Sequence, residues 1–254
     1  MIHKTAIVHP AAKIGKGVKI GPYSIIEENV IISENTTVGP HVVINGHTTI
    51  GANNRFFQFC SIGEENQDKK YQGEPTETVI RDDNVFREYC TVHRGTIQDK
   101  GLTVIGSNNL FMAYSHVAHD CRIGDNVIMA NCATLAGHVE IGNWAILGGF
   151  SGIHQFCRIG AHAFLGIRSS ITQDVAPFML YADGKIRSVN SEGLKRREFS
   201  KEDLSLLKEA YKIIYRKQLP LNKAIEQLKE IARANLHLES LVQFIGESKR
   251  GLTR

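Results

Sequence analysis

The stretch from Ile105 to Ile171, IGSNNLFMAYSHVAHDCRIGDNVIMANCATLAGHVEIGNWAILGGFSGIHQFCRIGAHAFLGIRSSI, decides how this chain folds. An apolar residue stands at every sixth position: Ile105, Phe111, Val117, Ile123, Met129, Leu135, Ile141, Leu147, Ile153, Ile159, Leu165, Ile171. A helix (period about 3.6) and a strand (period about two) both fail to produce a strict six. One short strand and one turn, repeated, does produce it, and this is the hexapeptide signature of a parallel β-helix. The same beat fills the N-terminal part, from Ile2 through Val8, Ile14 and Ile20 to Phe56 and Ile62, and returns at Ile80, Phe86 and Val92.

Two further columns follow the beat. The residue after the apolar one is often glycine, as at Gly15, Gly21, Gly106, Gly124, Gly142 and Gly148. This predicts a tight corner that uses glycine's backbone freedom. Two places before the apolar residue the side chain is small or β-branched, as at Ala133, Val139, Ala145 and Ala163, which predicts a narrow filled core. Three units close a triangular coil of eighteen residues, so residues eighteen apart lie above one another at the strand spacing of about 4.8 Å. The general crossover rule favours a right-handed coil, and the periodicity itself leaves the hand open.

Two insertions interrupt the beat: EENQDKKYQGEPTET at 64–78 and RGTIQDKGLT at 94–103. Long excursions from a rigid scaffold commonly carry function. After Ile171 comes a linker with Pro177 and Asp183-Gly184, and then a helical pattern. Ser200 and Asp203 read as an N-cap with an acid in the first turn, and Leu204, Leu207, Ala210, Tyr211, Ile214 and Tyr215 share one face. Pro220 breaks that helix and opens a second, and a third is expected over 237–246. The expected organisation is a repeat domain over 1–188 and a C-terminal α-helical domain over 189–254 that covers the last coil's open edge.

The 254 residues suffice for a large core. No segment has the roughly 18 apolar residues of a membrane span, and the start, MIHKTAIVHP, lacks a secretory signal's apolar stretch. Five cysteines form no CxxC pair, and Cys121 and Cys157 fall in the small inward slot, so reduced thiols in a cytoplasmic protein are expected. The net charge of +4 is uneven: residues 190–254 hold 14 Lys plus Arg against 9 Asp plus Glu, or +5, leaving −1 for the rest. A basic terminal module suits an acidic partner or a phosphate, and equally a solvated helical face. Aromatics are sparse and no nucleic-acid motif occurs.

The uninterrupted run lets one edge be computed. His119, Gly137 and Gln155 are spaced 18 and 18, while His138 lies one place beyond that register, His154 one place before it, and His116 just before Val117. So many imidazoles along one corner exceed what packing requires. Two chemistries fit: a zinc site of three imidazoles, and general-base catalysis by a neutral histidine. Asp120 follows His119 and is a candidate to orient its ring, although neighbours on an extended chain point apart.

Taken together, NGHTTIG, SIGEENQDKKYQGEPT, VHRGT, HVAHDCRIG, ANCATLAGHVEIG, IHQFCRIGAH and NSEGLKRREFS resemble one family across the whole chain, the acyl-[acyl-carrier-protein]:UDP-N-acetylglucosamine O-acyltransferases of lipid A biosynthesis. YQGEPT and HVAHDC are the specific parts, and GLKRR supports them, because hexapeptide repeats alone occur in many transferases. The resemblance implies a left-handed parallel β-helix with C-terminal helices, a cytoplasmic homotrimer with active sites between subunits, and no membrane insertion. It implies transfer of a 3-hydroxyacyl group from acyl carrier protein to the 3-hydroxyl of UDP-N-acetylglucosamine, with no metal and no bound cofactor. His119 matches the general base and Gly137 the backbone oxyanion donor. Asp68, Lys70 and His116 match residues near the sugar and the donor arm, and Gln67 is expected to bind substrate beside them. His138, His154 and Gln155 match the nucleotide-sugar site, and Asn190, Glu192, Arg196 and Arg197 the nucleotide end. Where many members have two glycines this chain has Gly166-Ile167, so Ile167 is expected to shorten the accepted acyl chain.

Three rivals share parts of this pattern. A carbonic-anhydrase-like zinc hexapeptide protein explains the histidine edge but not YQGEPT. A transferase using a different UDP-sugar or an amine acceptor is a second, and a non-enzymatic scaffold a third, although a scaffold has no need of a base and a glycine one coil apart.

Overall fold

The computed structural model describes residues 1–232 and 235–254. Short strands, mostly of two residues, build three sheets that form the faces of a triangular prism, with nine, eight and ten strands, all paired in parallel except the last pair of the third. The first face runs from Ile7–Val8 to Ser170–Ile171, the second from Lys13–Ile14 to Arg158–Ile159, and the third from Lys19–Ile20 to Lys185–Val189. Register follows the predicted arithmetic: His116 pairs with Thr134 and Thr134 with Gly152, each eighteen residues on. The apolar beat points inward and is almost wholly buried, and Phe56, Phe86 and Phe111 stack along the axis at 4.8 and 4.5 Å between ring centres. Burying such a ring stabilises the fold by about 1.5–3 kcal/mol.

The glycine column serves space rather than backbone angle. Of the eleven glycines that follow the beat, only Gly63 has positive φ, at 75°. At Gly15, Gly21, Gly142 and Gly148 an added Cβ would lie 2.5–2.8 Å from backbone of the next coil. The left-handed corner comes two residues later, where Asn35, Asn53, Asp83, Asn108, Asp120 and Asn126 hold φ between 57° and 60°. Asn and Asp tolerate this because their short side chains bond locally. The inward slot also holds more cysteines than expected: Cys60 and Cys90 join Cys121 and Cys157, all buried and free. Burial pushes the Cys121 thiol up to about 12, and hydrogen bonding to Cys90 raises Cys60.

The stretch expected as a linker is largely sheet. Met179–Ala182 pairs in parallel with Phe164–Leu165 and turns back onto Lys185–Val189. Asp183 and Gly184 make that turn with φ of 49° and 80°, the paired left-handed angles of a tight hairpin. Helix α1 covers Ser191–Lys195, α2 Lys201–Tyr215, α3 Leu221–Ile231 and α4 Leu236–Gly246. Ser200 and Asp203 cap α2 reciprocally, Pro220 is the N-cap of α3, and Asn235 caps α4. Leu204, Leu207, Ala210, Ile213 and Ile214 form the buried side of α2, and the Tyr211 hydroxyl donates to Arg187 O across the hairpin at 2.7 Å. The C-terminal tail returns to the prism. Asp174 N donates to Gly251 O and Thr253 N to Asp174 O, both at 2.8 Å, and Leu252 is buried between them.

Candidate active site

Both insertions leave the prism at the corner between the first and second faces. One joins strands Ser61–Glu64 and Glu77–Ile80, the other Thr91–His93 and Leu102–Ile105. The buried Asn66 amide ties them together by donating to Gly95 O at 3.0 Å. His119 stands on the same corner.

His119 Nδ1 lies 2.8 Å from Asp120 Oδ2. Adjacent residues on an extended strand would diverge, but the φ of 59° at Asp120 turns its carboxylate back toward the neighbouring ring. The second insertion completes the support, because Thr96 donates its backbone N–H to both carboxylate oxygens and its hydroxyl to Oδ2, at 2.7–3.1 Å. Burial opposes the charge on Asp120, yet the bonds from His119 and Thr96 hold its carboxyl below the usual carboxylate range. An ionised carboxylate only accepts. Nδ1 of His119 therefore carries the proton, and Nε2 presents its lone pair.

One coil on, Gly137 lies directly against that ring. A Cβ built on Gly137 would sit 2.4 Å from His119 Cε1 and 2.6 Å from Nε2. The missing side chain is what makes room for the imidazole. No hydrogen bond from the Gly137 N–H is found among the described residues. The His119 ring and the Gly137 backbone thus stand side by side, one coil apart, with the Gly137 amide unengaged among the described residues; acyl transfer needs a base and an oxyanion donor near one reacting carbonyl.

A cleft of about 1270 Å³ opens at this corner and gathers Gln67, Asp68, Lys70, His119, His138 and Gln155. His138 stacks on Phe156 at 4.4 Å, meets the His119 ring edge-on at 5.1 Å, and faces Asp99 Oδ2 with Nδ1 at 3.4 Å. A second groove of about 530 Å³, on the outside of the first face, shares His119 and Gln67 and adds His116 and His154. His116 Nδ1 bonds the Thr91 hydroxyl at 2.7 Å. Burial, with His93 and His119 nearby, lowers its pKa to about 4, so the ring is neutral.

Within one chain the remaining expected residues lie elsewhere. Asn190 caps α1 and donates to His162 O at 3.0 Å, at the corner between the second and third faces. Arg197 lies over the Trp144 ring at 5.0 Å and reaches His162 Nδ1 at 3.3 Å, while Glu192 pairs with Lys195 and Arg196 is exposed. Ile167 stands 71% exposed at the third corner, between the third and first faces. A single chain brings neither group to His119.

The sequence reading missed several residues of the cleft: Asp99, Arg158, Asp174, Lys249 and Arg250. Arg158 and Glu140 are eighteen apart and pair at 3.2 Å, so the column arithmetic could have found them. Arg250 reaches His154 Nδ1 at 3.1 Å only because the C-terminal tail folds back, which no periodicity encodes. His93, edge-on to His116 at 5.0 Å, was hidden by the insertion that breaks the count.

Comparison with known proteins identifies the fold and the family. Residues 174–253 match the model described as UDP N-acetylglucosamine O-acyltransferase, domain 2, and residues 11–46 and 102–137 match the bacterial transferase hexapeptide. The chain is 53% identical to the acyl-[acyl-carrier-protein]–UDP-N-acetylglucosamine O-acyltransferase of Thiobacillus denitrificans, covering 100% of this chain and 99% of the relative. Among solved structures it is similar to LpxA from Acinetobacter baumannii (45% identity, TM-score 0.97, 100% and 99% covered). It is also similar to the UDP-N-acetylglucosamine acyltransferase of Francisella novicida (44% identity, TM-score 0.98, 100% and 94% covered). The fold is thus the left-handed parallel β-helix that the motifs implied, against the general crossover rule. Full-length identity at this level, together with the matching repeat and terminal-domain models, places the chain in the acyl-[acyl-carrier-protein]–UDP-N-acetylglucosamine O-acyltransferase family.

Proposed function

We propose that this protein transfers a 3-hydroxyacyl group from acyl carrier protein to the 3-hydroxyl of UDP-N-acetylglucosamine, the opening step of lipid A biosynthesis. The observation that carries the reading is the Thr96–Asp120–His119 relay set against Gly137. His119 Nε2 takes the proton as the sugar oxygen attacks the thioester carbonyl. The Gly137 N–H receives the oxyanion, and the tetrahedral intermediate expels the pantetheine thiolate, which recovers the proton from His119. A positioned base is worth about 10²–10⁴-fold and one oxyanion donor about 10²–10³-fold. The phosphopantetheine arm arrives with the donor, so no resident cofactor enters the scheme.

Gln67, Asp68, Lys70, His138 and Gln155 line the cleft beside His119, with His116 and His154 in the adjoining groove, and these residues are assigned to substrate binding. Asn190, Glu192, Arg196 and Arg197 complete the nucleotide end from a neighbouring copy, since in one chain they occupy a different corner. That separation supports a homotrimer with sites between subunits. Among the described residues no helix is long and apolar enough to cross a membrane, and the five free thiols suit the cytoplasm.

The test is a transfer assay with UDP-N-acetylglucosamine and 3-hydroxyacyl carrier proteins of graded length, using wild type, His119→Ala and Ile167→Gly. Wild type transfers, His119→Ala loses about 10²–10⁴-fold, and Ile167→Gly shifts the preference to longer chains. No transfer by wild type with any donor would overturn the acceptor assignment. An unchanged length profile in Ile167→Gly would remove that residue as the ruler.

A further inference from the structure

We propose that the His119–Asp120–His138 corner is a binding site for a divalent transition metal of the zinc class, and that occupancy inhibits transfer by withdrawing the base. One ligand atom from each residue lies within 4.8 Å of the other two. Asp120 Oδ2 is central, 2.8 Å from His119 Nδ1 and 3.8 Å from His138 Nε2. Zinc holds nitrogen and oxygen ligands at about 2.0–2.2 Å in a tetrahedron, which spaces them about 3.3 Å apart. Side-chain adjustments of about half an ångström bring Asp120 Oδ2 to that spacing from both nitrogens. Two imidazoles and a carboxylate are a donor set suited to zinc and its neighbours and unsuited to magnesium, which prefers oxygen.

The surroundings supply the outer support that such sites use. Asp99 Oδ2 lies 3.4 Å from His138 Nδ1, on the far side of the ring from the ion's position, and Phe156 stacks on its face. Thr96 fixes the Asp120 carboxylate by three bonds. Both histidines border the large cleft, which gives an ion a path in and a fourth position for water.

The chemical consequence follows from which nitrogen is used. A metal on His119 Nδ1 takes the place of the proton now shared with Asp120. The displaced proton is then carried on Nε2 of the neutral ring, so the atom that would accept the sugar hydroxyl's proton becomes a donor. The base is lost without any change in fold. This consequence rests on His119 being the base, whereas the binding itself does not.

The test titrates metal-free full-length protein with Zn²⁺ against a chromophoric zinc indicator and, in parallel, with Co²⁺, whose visible spectrum reports its coordination. One ion per chain is expected, with a low-symmetry nitrogen and oxygen spectrum. Affinity should fall at least about tenfold in His138→Ala and about 10- to 100-fold in Asp99→Asn. Transfer should be lost over the same Zn²⁺ concentrations, return with chelator, and be unaffected by Mg²⁺. Wild-type protein that binds no Zn²⁺ above indicator background, or binds it equally well in both variants, would overturn the site. Site-specific binding that leaves transfer untouched would keep the site but overturn its inhibitory role, and His119 as the base with it.

Discussion

Gly137→Ala tests the geometry more sharply than removing the base does, because it keeps every catalytic group. The added methyl would lie 2.4 Å from His119 Cε1 and 2.6 Å from Nε2, where ordinary contact begins at 3.4 Å. The backbone of Gly137 is not in the left-handed region, so the strain falls on the neighbouring imidazole. That ring must retreat by about 1 Å, enough to stretch its 2.8 Å bond to Asp120. A misplacement of about 1 Å costs about 10²-fold in rate. The proposed base and the proposed oxyanion donor are both displaced by this contact, so kcat should fall about 10²–10³-fold. KM should change little, because the residues assigned to substrate binding are untouched. His119 lies at the cleft surface, so the thermal midpoint should move by no more than a few degrees. Steady-state kinetics on UDP-N-acetylglucosamine and a 3-hydroxyacyl carrier protein, with a melting curve as control, settle the matter. A variant that keeps more than a third of wild-type kcat would refute the contact between ring and glycine as a catalytic feature.

Two further predictions concern Asp120 and the buried histidines His116 and His162. In Asp120→Asn the amide can donate to Nδ1 and drive the His119 proton to Nε2, the wrong tautomer for a base. The kcat should drop about 10²–10⁴-fold at unchanged fold, and a loss under tenfold in the kcat–pH profile would remove Asp120 from the chemistry. The second concerns stability. Burial, with neighbouring positive charge, lowers His116 and His162 from 6.5 to about 4, so the folded state favours the neutral ring. The unfolded chain binds protons first, so this stability is complete above about pH 6.5 and is lost as pH falls to about 4. Discounted for partial exposure, each ring contributes about 1–2 kcal/mol. Urea midpoints of wild type and His116→Gln between pH 7.5 and 4.5 should converge as pH falls. A constant gap across that window would contradict the assignment.

The beat from Ile105 to Ile171 determined by itself that the chain coils, that the coil is eighteen residues long, and that His119, Gly137 and Gln155 share one column. It could do so because each strand repeats one inward position and each corner one spacing, so numbering converts directly into height along the prism. The helical caps at Ser200 and the turn at Asp183-Gly184 are local in the same way. The glycine column was legible but misread, since its cause is the backbone one coil away and not the glycine's own φ.

Tertiary structure decided what depends on contacts outside that spacing. The bond between His119 and Asp120 needs a left-handed φ and a threonine delivered by an insertion that breaks the count. Arg250 enters the cleft because the last residues fold back along Asp174. Asn190 and Arg197 sit on a different corner from His119, and this is visible only once the three faces close. A sequence repeat specifies position along one axis. The approach of loops, tails and corners is set by packing between elements far apart in the chain.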